Sequence, residues 1–118
     1  MIISIKGKDA KGKETDFEVS FKWNNHCFEH FGTIKNLSSI SAMIVAFMYC
    51  GYKGWCFARN LDERLTLEDF SDYVDLALDD EDVRENLRLI TEEIVATPYW
   101  KKVNEKPVKK NEVQSAAA

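Results

Sequence analysis

The sequence predicts an α+β fold that is predominantly helical: an N-terminal β-hairpin, about four α-helices and a polar C-terminal tail. Three observations predict it. Period-2 alternation is confined to residues 2–6 and 15–21. Apolar residues at helical spacing fill most of the chain from about residue 25 to residue 97. Residues 101–112 then hold five Lys and two Glu, followed by Gln-Ser-Ala-Ala-Ala. A chain of 118 residues buries somewhat over ~60% of its unfolded surface, enough for one modest core. We therefore expect a single globular domain over residues 1–98, with the hairpin in 1–22 and the helical part in 25–97, and a flexible basic tail over 99–118.

The elements follow in order. Ile3 and Ile5 share one face, as do Phe17, Val19 and Phe21, with Glu18, Ser20 and Lys22 outward. The polar stretch from Gly7 to Glu14 between them reads as a hairpin loop. Two strands alone are marginal, so the hairpin must lie on the helices or pair with another chain. Asn24 and Asn25 are natural N-caps for a short helix from His26 to about Phe31, with Trp23 stapling its start and Gly32 as the C′ residue.

Ser38 and Ser39 cap the next helix, in which Ile40, Met43, Ile44, Phe47 and Met48 follow the i, i+3, i+4, i+7, i+8 template. Ala42, Val45, Ala46 and Tyr49 fill its other sides. A helix apolar nearly all round is central, or is buried on its second face by a partner. Gly51 and Gly54 are expected to weaken its end. The apolar run from Ile40 to Cys50 is eleven residues, too short for a bilayer and right for a core helix.

Thr66 with Asp69 three residues on resembles a capping box, starting a stripe of Leu67, Phe70, Val74 and Leu78. Asp79 or Asp80 caps the last helix, with stripe Val83, Leu87, Ile90 and Ile94. Arg84 and Arg88 alternate with Glu81, Glu85 and Glu92 on its solvated face, and Pro98 ends it near Ala96.

Charge narrows the function. The net charge is −4, but residues 62–93 hold thirteen Asp/Glu and three Arg, a net of −10. Nonspecific nucleic-acid binding needs Lys and Arg to displace phosphate counterions, so no nucleic-acid partner is expected. The three cysteines, Cys27, Cys50 and Cys56, are odd in number, and Met-Ile-Ile-Ser-Ile-Lys has no charged segment ahead of an apolar run. A reducing cytoplasmic location follows as the expectation, with no membrane partner.

No constellation points to catalysis. His26 and His30 stand at i, i+4 beside Cys27, a possible metal pair, but no further ligand stands at metal-site spacing. Cys50 and Cys56 have no neighbouring base in sequence, and cysteine is a common buried residue. Asp79 to Asp82 lacks the sixth-position Gly of a calcium loop and reads as a helix cap in an acidic face, or as a phosphate mimic for a basic groove on another protein. There is no phosphate-binding glycine loop and no Gly-x-Ser-x-Gly. Catalytic, metal and cofactor residues are therefore assigned to none. The aromatic segment is the positive signal. Phe47, Tyr49, Tyr52, Trp55 and Phe57 lie within eleven residues, more than one small core readily covers; some are core and the rest form an apolar patch of the kind that marks an interface. Trp100 is either the last core anchor or a recognition anchor at the start of the tail. These six residues are the expected partner contacts.

In this order of parts the chain resembles the tail assembly chaperones of long-tailed bacteriophages. The matching features are Phe21-Lys-Trp-Asn-Asn25 leading into a helix, the apolar helix ending Phe47-Met-Tyr-Cys-Gly51, the acidic helix start Leu65-Thr-Leu-Glu-Asp-Phe70, and the closing helix from Leu87 to Ile94. They cover roughly residues 15–97; Tyr52 to Asn60 and the Lys-rich tail match nothing in the family pattern. The resemblance implies a small, mostly helical cytoplasmic protein that binds the tape measure protein, recruits tail tube subunits and is absent from the mature virion. Self-association is also expected from exposed hairpin edges and apolar patches. Two rivals stand beside it: a small acidic inhibitor or antitoxin-like protein that occupies a basic groove of another protein through Asp79, Asp80, Glu81 and Asp82, and a thiol enzyme using Cys50 or Cys56 with His26 or His30.

Overall fold

The computed structural model describes residues 1–34 and 37–102. The expected flexible tail lies outside the described residues from 103 onward. The fold is α+β and mostly helical, as predicted. Strand β1 (Ile3–Lys8) pairs antiparallel with β2 (Glu14–Val19), setting Ile3 opposite Val19, Ile5 opposite Phe17 and Gly7 opposite Thr15. The loop is closed by Asp9, whose carboxylate accepts from the amides of Lys11 and Lys13, both at 2.9 Å, and by Gly12 at φ 79°. Alternation puts Ile3, Ile5 and Val19 in the core. Gly7 lies directly under Leu65 and close to Asp69, which seats the hairpin on that stretch of the chain.

Helix α1 (Asn25–Phe31) is capped by Asn24, whose side chain accepts from Cys27 N at 3.0 Å. Gly32 differs from expectation: it is right-handed at φ −64°. The chain does not turn out there; it tightens through Thr33 N to His30 O at 3.0 Å and Ile34 N to Phe31 O at 3.2 Å.

Helix α2 (Ile40–Arg59) is the larger correction. Ser39 caps it as expected, but it runs unbroken through both glycines to Asn60, a left-handed cap at φ 56°. At 20 residues it is long and apolar enough to cross a membrane, although half of that window is buried inside this fold. The glycines have a reason other than weakness. A Cβ on Gly51 would strike the Trp23 ring, and one on Gly54 would strike Lys22 O and lie 2.6 Å from Asn24 Oδ1. The segment from Lys22 to Asn24 therefore lies against the helix backbone. Lys22 N donates to Gly51 O at 3.0 Å, and Asn24 Nδ2 donates to Gly54 O at 3.0 Å. Trp23 lies on Gly51, stacks on Phe21 and donates from Nε1 to Glu93 at 3.3 Å.

Helix α3 (Leu67–Asp75) begins with the predicted capping box between Thr66 and Asp69. Its stripe is not the predicted one: Phe70 and Tyr73 are buried, whereas Leu78 is 82% exposed. After Asp75 the chain tightens into a 3-10 turn (Leu76–Leu78), and three residues per turn swing Leu78 off the α-helical face. Helix α4 (Glu81–Val95) is capped by Asp80 and buries Val83, Ile90 and Ile94, as the periodicity predicts. Thr97 then joins α4 to one more helical stretch over 98–102, donating to Ile94 O at 2.7 Å and accepting from Trp100 N at 3.2 Å. Pro98 follows it in the first-turn position where its missing N–H costs nothing. The body thus extends past the expected boundary at 98: Tyr99 stacks on Phe28 at 4.3 Å, and Trp100 meets Phe47 edge-on at 5.5 Å.

Helix propensity alone makes Gly54→Ala stabilising by roughly 0.5–1 kcal/mol. The close approach of Lys22 O reverses the sign, and we predict destabilisation of about 2 kcal/mol, typical of an overpacked core. A urea denaturation midpoint that falls supports this; one that rises contradicts it.

Candidate functional site

The candidate site is an apolar groove of about 610 Å³ between the first half of α2 and α3. Its α2 wall is built from small side chains, Ser41, Ala42, Val45 and Ala46. Spacing of one and four residues puts them in adjacent rows on one helix face. The α3 wall carries Leu67, Ser71 and Val74, rimmed by Glu68 and Asp75. Ile34 and Leu37 also line the groove. Leu67 on its α3 wall is open to solvent, and Ile40, the first residue of α2, is 79% exposed. The segment from Lys22 to Asn24 covers α2 at Gly51 and Gly54, and α1 covers it at Phe47. Among the described residues, the groove side of the first turns of α2 is flanked by α3 and by Ile34 and Leu37.

The six aromatics expected at a partner surface divide differently. Phe47 and Tyr52 are buried core residues, a correction to their reading as partner contacts. Phe47 is covered by Phe31 at 4.1 Å and by Trp100. The Tyr52 hydroxyl accepts from Arg64 N at 2.6 Å and Leu65 N at 3.3 Å, pinning the loop ahead of α3. Tyr49 is half-buried against Phe70, with Lys53 4.8 Å above its ring. Trp55 is half-buried under Arg59, 5.6 Å from its ring. Trp100 is half-buried on the core. Phe57 alone of the six is exposed, at 65%, with the His26 ring stacked on it at 4.1 Å.

The groove residues Ser41, Ala42 and Ser71 were not legible in the sequence, because small side chains carry little hydrophobic signal singly. The signal that was present is the all-round apolarity of α2, which calls for a covering partner.

The remaining chemistry is modest. His26 and His30 meet at 4.5 Å between ring centroids, but Cys27 points into the core. Among the described residues no group of three or more His, Cys, Asp or Glu side chains is placed to hold a metal. Asp80 is occupied as the α4 cap, accepting from Asp82 N at 2.9 Å and Val83 N at 3.2 Å, and the rest of the acidic cluster faces solvent. The thiols are buried. Burial pushes Cys27 and Cys50 from 9.0 up to about 12 and raises Cys56 as well, which opposes thiolate chemistry at neutral pH. Comparison with protein families, with characterised proteins and with solved structures found no match.

The raised thiols make a stability prediction. A group whose pKa is raised by folding contributes its stability below the unfolded value and loses it as pH rises toward the folded value. Unfolding free energy should be flat with respect to these thiols below about pH 8, then fall between pH 9.0 and about 12 for Cys27 and Cys50. Each thiol adds a slope of at most ~1.4 kcal/mol per pH unit. Denaturation across that range checks it, and Cys27→Ala with Cys50→Ala should flatten the slope. An unchanged slope in that double variant contradicts it.

Proposed function

We propose that this protein is a non-catalytic adaptor that holds an apolar helical segment of another protein, and that it acts as a tail assembly chaperone of a long-tailed bacteriophage. In this reading it binds the tape measure protein in the host cytoplasm, recruits tail tube subunits and leaves before the virion is complete. The observation that carries the reading is the groove between α2 and α3, apolar in its walls and acidic at its rim. Burying one large apolar side chain there is worth roughly 1.5–3 kcal/mol, so a few contacts suffice for a stable complex. The exposed Phe57 is a second apolar surface, with Leu61 also open beside it in sequence. It lies about 22 Å from Ala42 along the axis of α2 at 1.5 Å per residue. Two separated apolar surfaces suit a protein that bridges two partners.

The acidic-inhibitor reading is favoured by one observation, the solvent-facing Asp79, Glu81 and Asp82. One experiment separates them. A helical tape measure segment is co-expressed with the protein and captured in low and high salt. The chaperone reading expects a soluble complex that survives high salt, is lost in a folded Ala42→Trp variant that fills the groove, and persists in Asp79→Asn, Asp82→Asn. Failure to keep the segment soluble, with no capture in either salt, overturns it. Capture of a basic protein that collapses in high salt and in Asp79→Asn, Asp82→Asn favours the inhibitor.

A further inference from the structure

Resting on the groove as the binding site, we propose that its occupant is an amphipathic helix of another protein carrying Lys or Arg along one flank, selected by Glu68 and Asp75. Three features point to it. The two walls differ in charge: from Ile40 to Tyr52 α2 has no charged residue, whereas α3 has four acidic residues and no basic one. Asp69 of those four is spent on the capping box. Glu68 and Asp75 stand on the groove and form no ion pair among the described residues. An apolar helix lying here therefore meets negative charge on one side only.

The second feature is backbone chemistry. The α2 and α3 walls are helices and Ile34 and Leu37 belong to no strand, so an extended peptide would find no strand edge to pair with. A helical occupant satisfies its own N–H and C=O groups and needs only a side-chain face. The third is steric: Ser41, Ala42 and Ala46 leave room for the occupant to bring large apolar side chains into the wall.

A second copy is less well matched: it would offer α4, where Arg88 is already held by Glu85 and by Glu92 at 2.6 Å. The chain's own Lys106, Lys109 and Lys110 are the other basic candidates, and the test below separates them from a foreign helix.

The test uses the full chain and three labelled synthetic peptides, measured by fluorescence anisotropy in low salt. The first is an amphipathic helix of Leu, Ala and Lys with its lysines on one flank. The second replaces Lys by Glu, and the third scrambles the first. The Lys peptide should bind about tenfold tighter than the Glu peptide, the scale of a few rim ion pairs. Glu68→Gln with Asp75→Asn should erase that difference, and Asp79→Asn with Asp82→Asn should leave it. Equal binding of the Lys and Glu peptides that Ala42→Trp abolishes overturns the charge selection and leaves the groove reading standing. Binding unaffected by Ala42→Trp, or absent for every peptide, overturns both. A gain of about tenfold in Lys106→Gln, Lys109→Gln, Lys110→Gln would make the chain's own tail the occupant and overturn the proposal.

Discussion

The structure depends on the close approach of the segment from Lys22 to Asn24 to the backbone of α2 at Gly51 and Gly54. Hydrogen bonds from Lys22 N and Asn24 Nδ2 reach helix carbonyls that already serve the helix, using the second lone pair of each oxygen. Only glycine lets a chain come this near. Asn24 contributes twice, since its Oδ1 also caps α1. One side chain thus fixes where the hairpin ends, where α1 starts and how both sit on the central helix. Trp23, laid over Gly51, carries the same contact to α4 through Glu93.

The asymmetry of α2 follows. The docked segment covers it at Gly51 and Gly54, and Phe31, Phe47, Tyr99 and Trp100 form one aromatic cluster beside it. Among the described residues, its first turns share the groove with α3 and with Ile34 and Leu37. Among the described residues, Ile40 and Leu67 stay exposed and Ala42 lines the groove half-buried. Charge is segregated in the same way, with acidic side chains on α3 and none on the facing stretch of α2.

Much of this was legible in the residues. Alternation found the hairpin, and Asn24, Ser39, Thr66 and Asp80 announced four helix starts, because capping is a local interaction read within three positions. The α4 stripe was legible for the same reason. What failed depended on contacts distant in sequence. Gly51 and Gly54 read as a helix end because propensity is local, while the chain that needs them lies some thirty residues earlier. Leu78 joined the α3 stripe until a 3-10 turn moved it out. Burial of the aromatics was not legible because aromatic side chains fill cores as well as interfaces: Phe47 is covered by α1 and the turn over 98–102, Tyr52 by Phe70 and the loop ahead of α3, and Phe57 stays outside.

Native-state hydrogen exchange at the Lys22 amide tests this account most directly. Lys22 has a solvent-exposed side chain and lies between elements, a position whose amide would ordinarily exchange as a loop does. If its bond to Gly51 O anchors the fold, the amide exchanges only on global unfolding, at the rate of the buried Met48 amide within α2. Exchange of Lys22 at loop rates while Met48 stays protected would show that the docked segment opens independently, and would contradict the account.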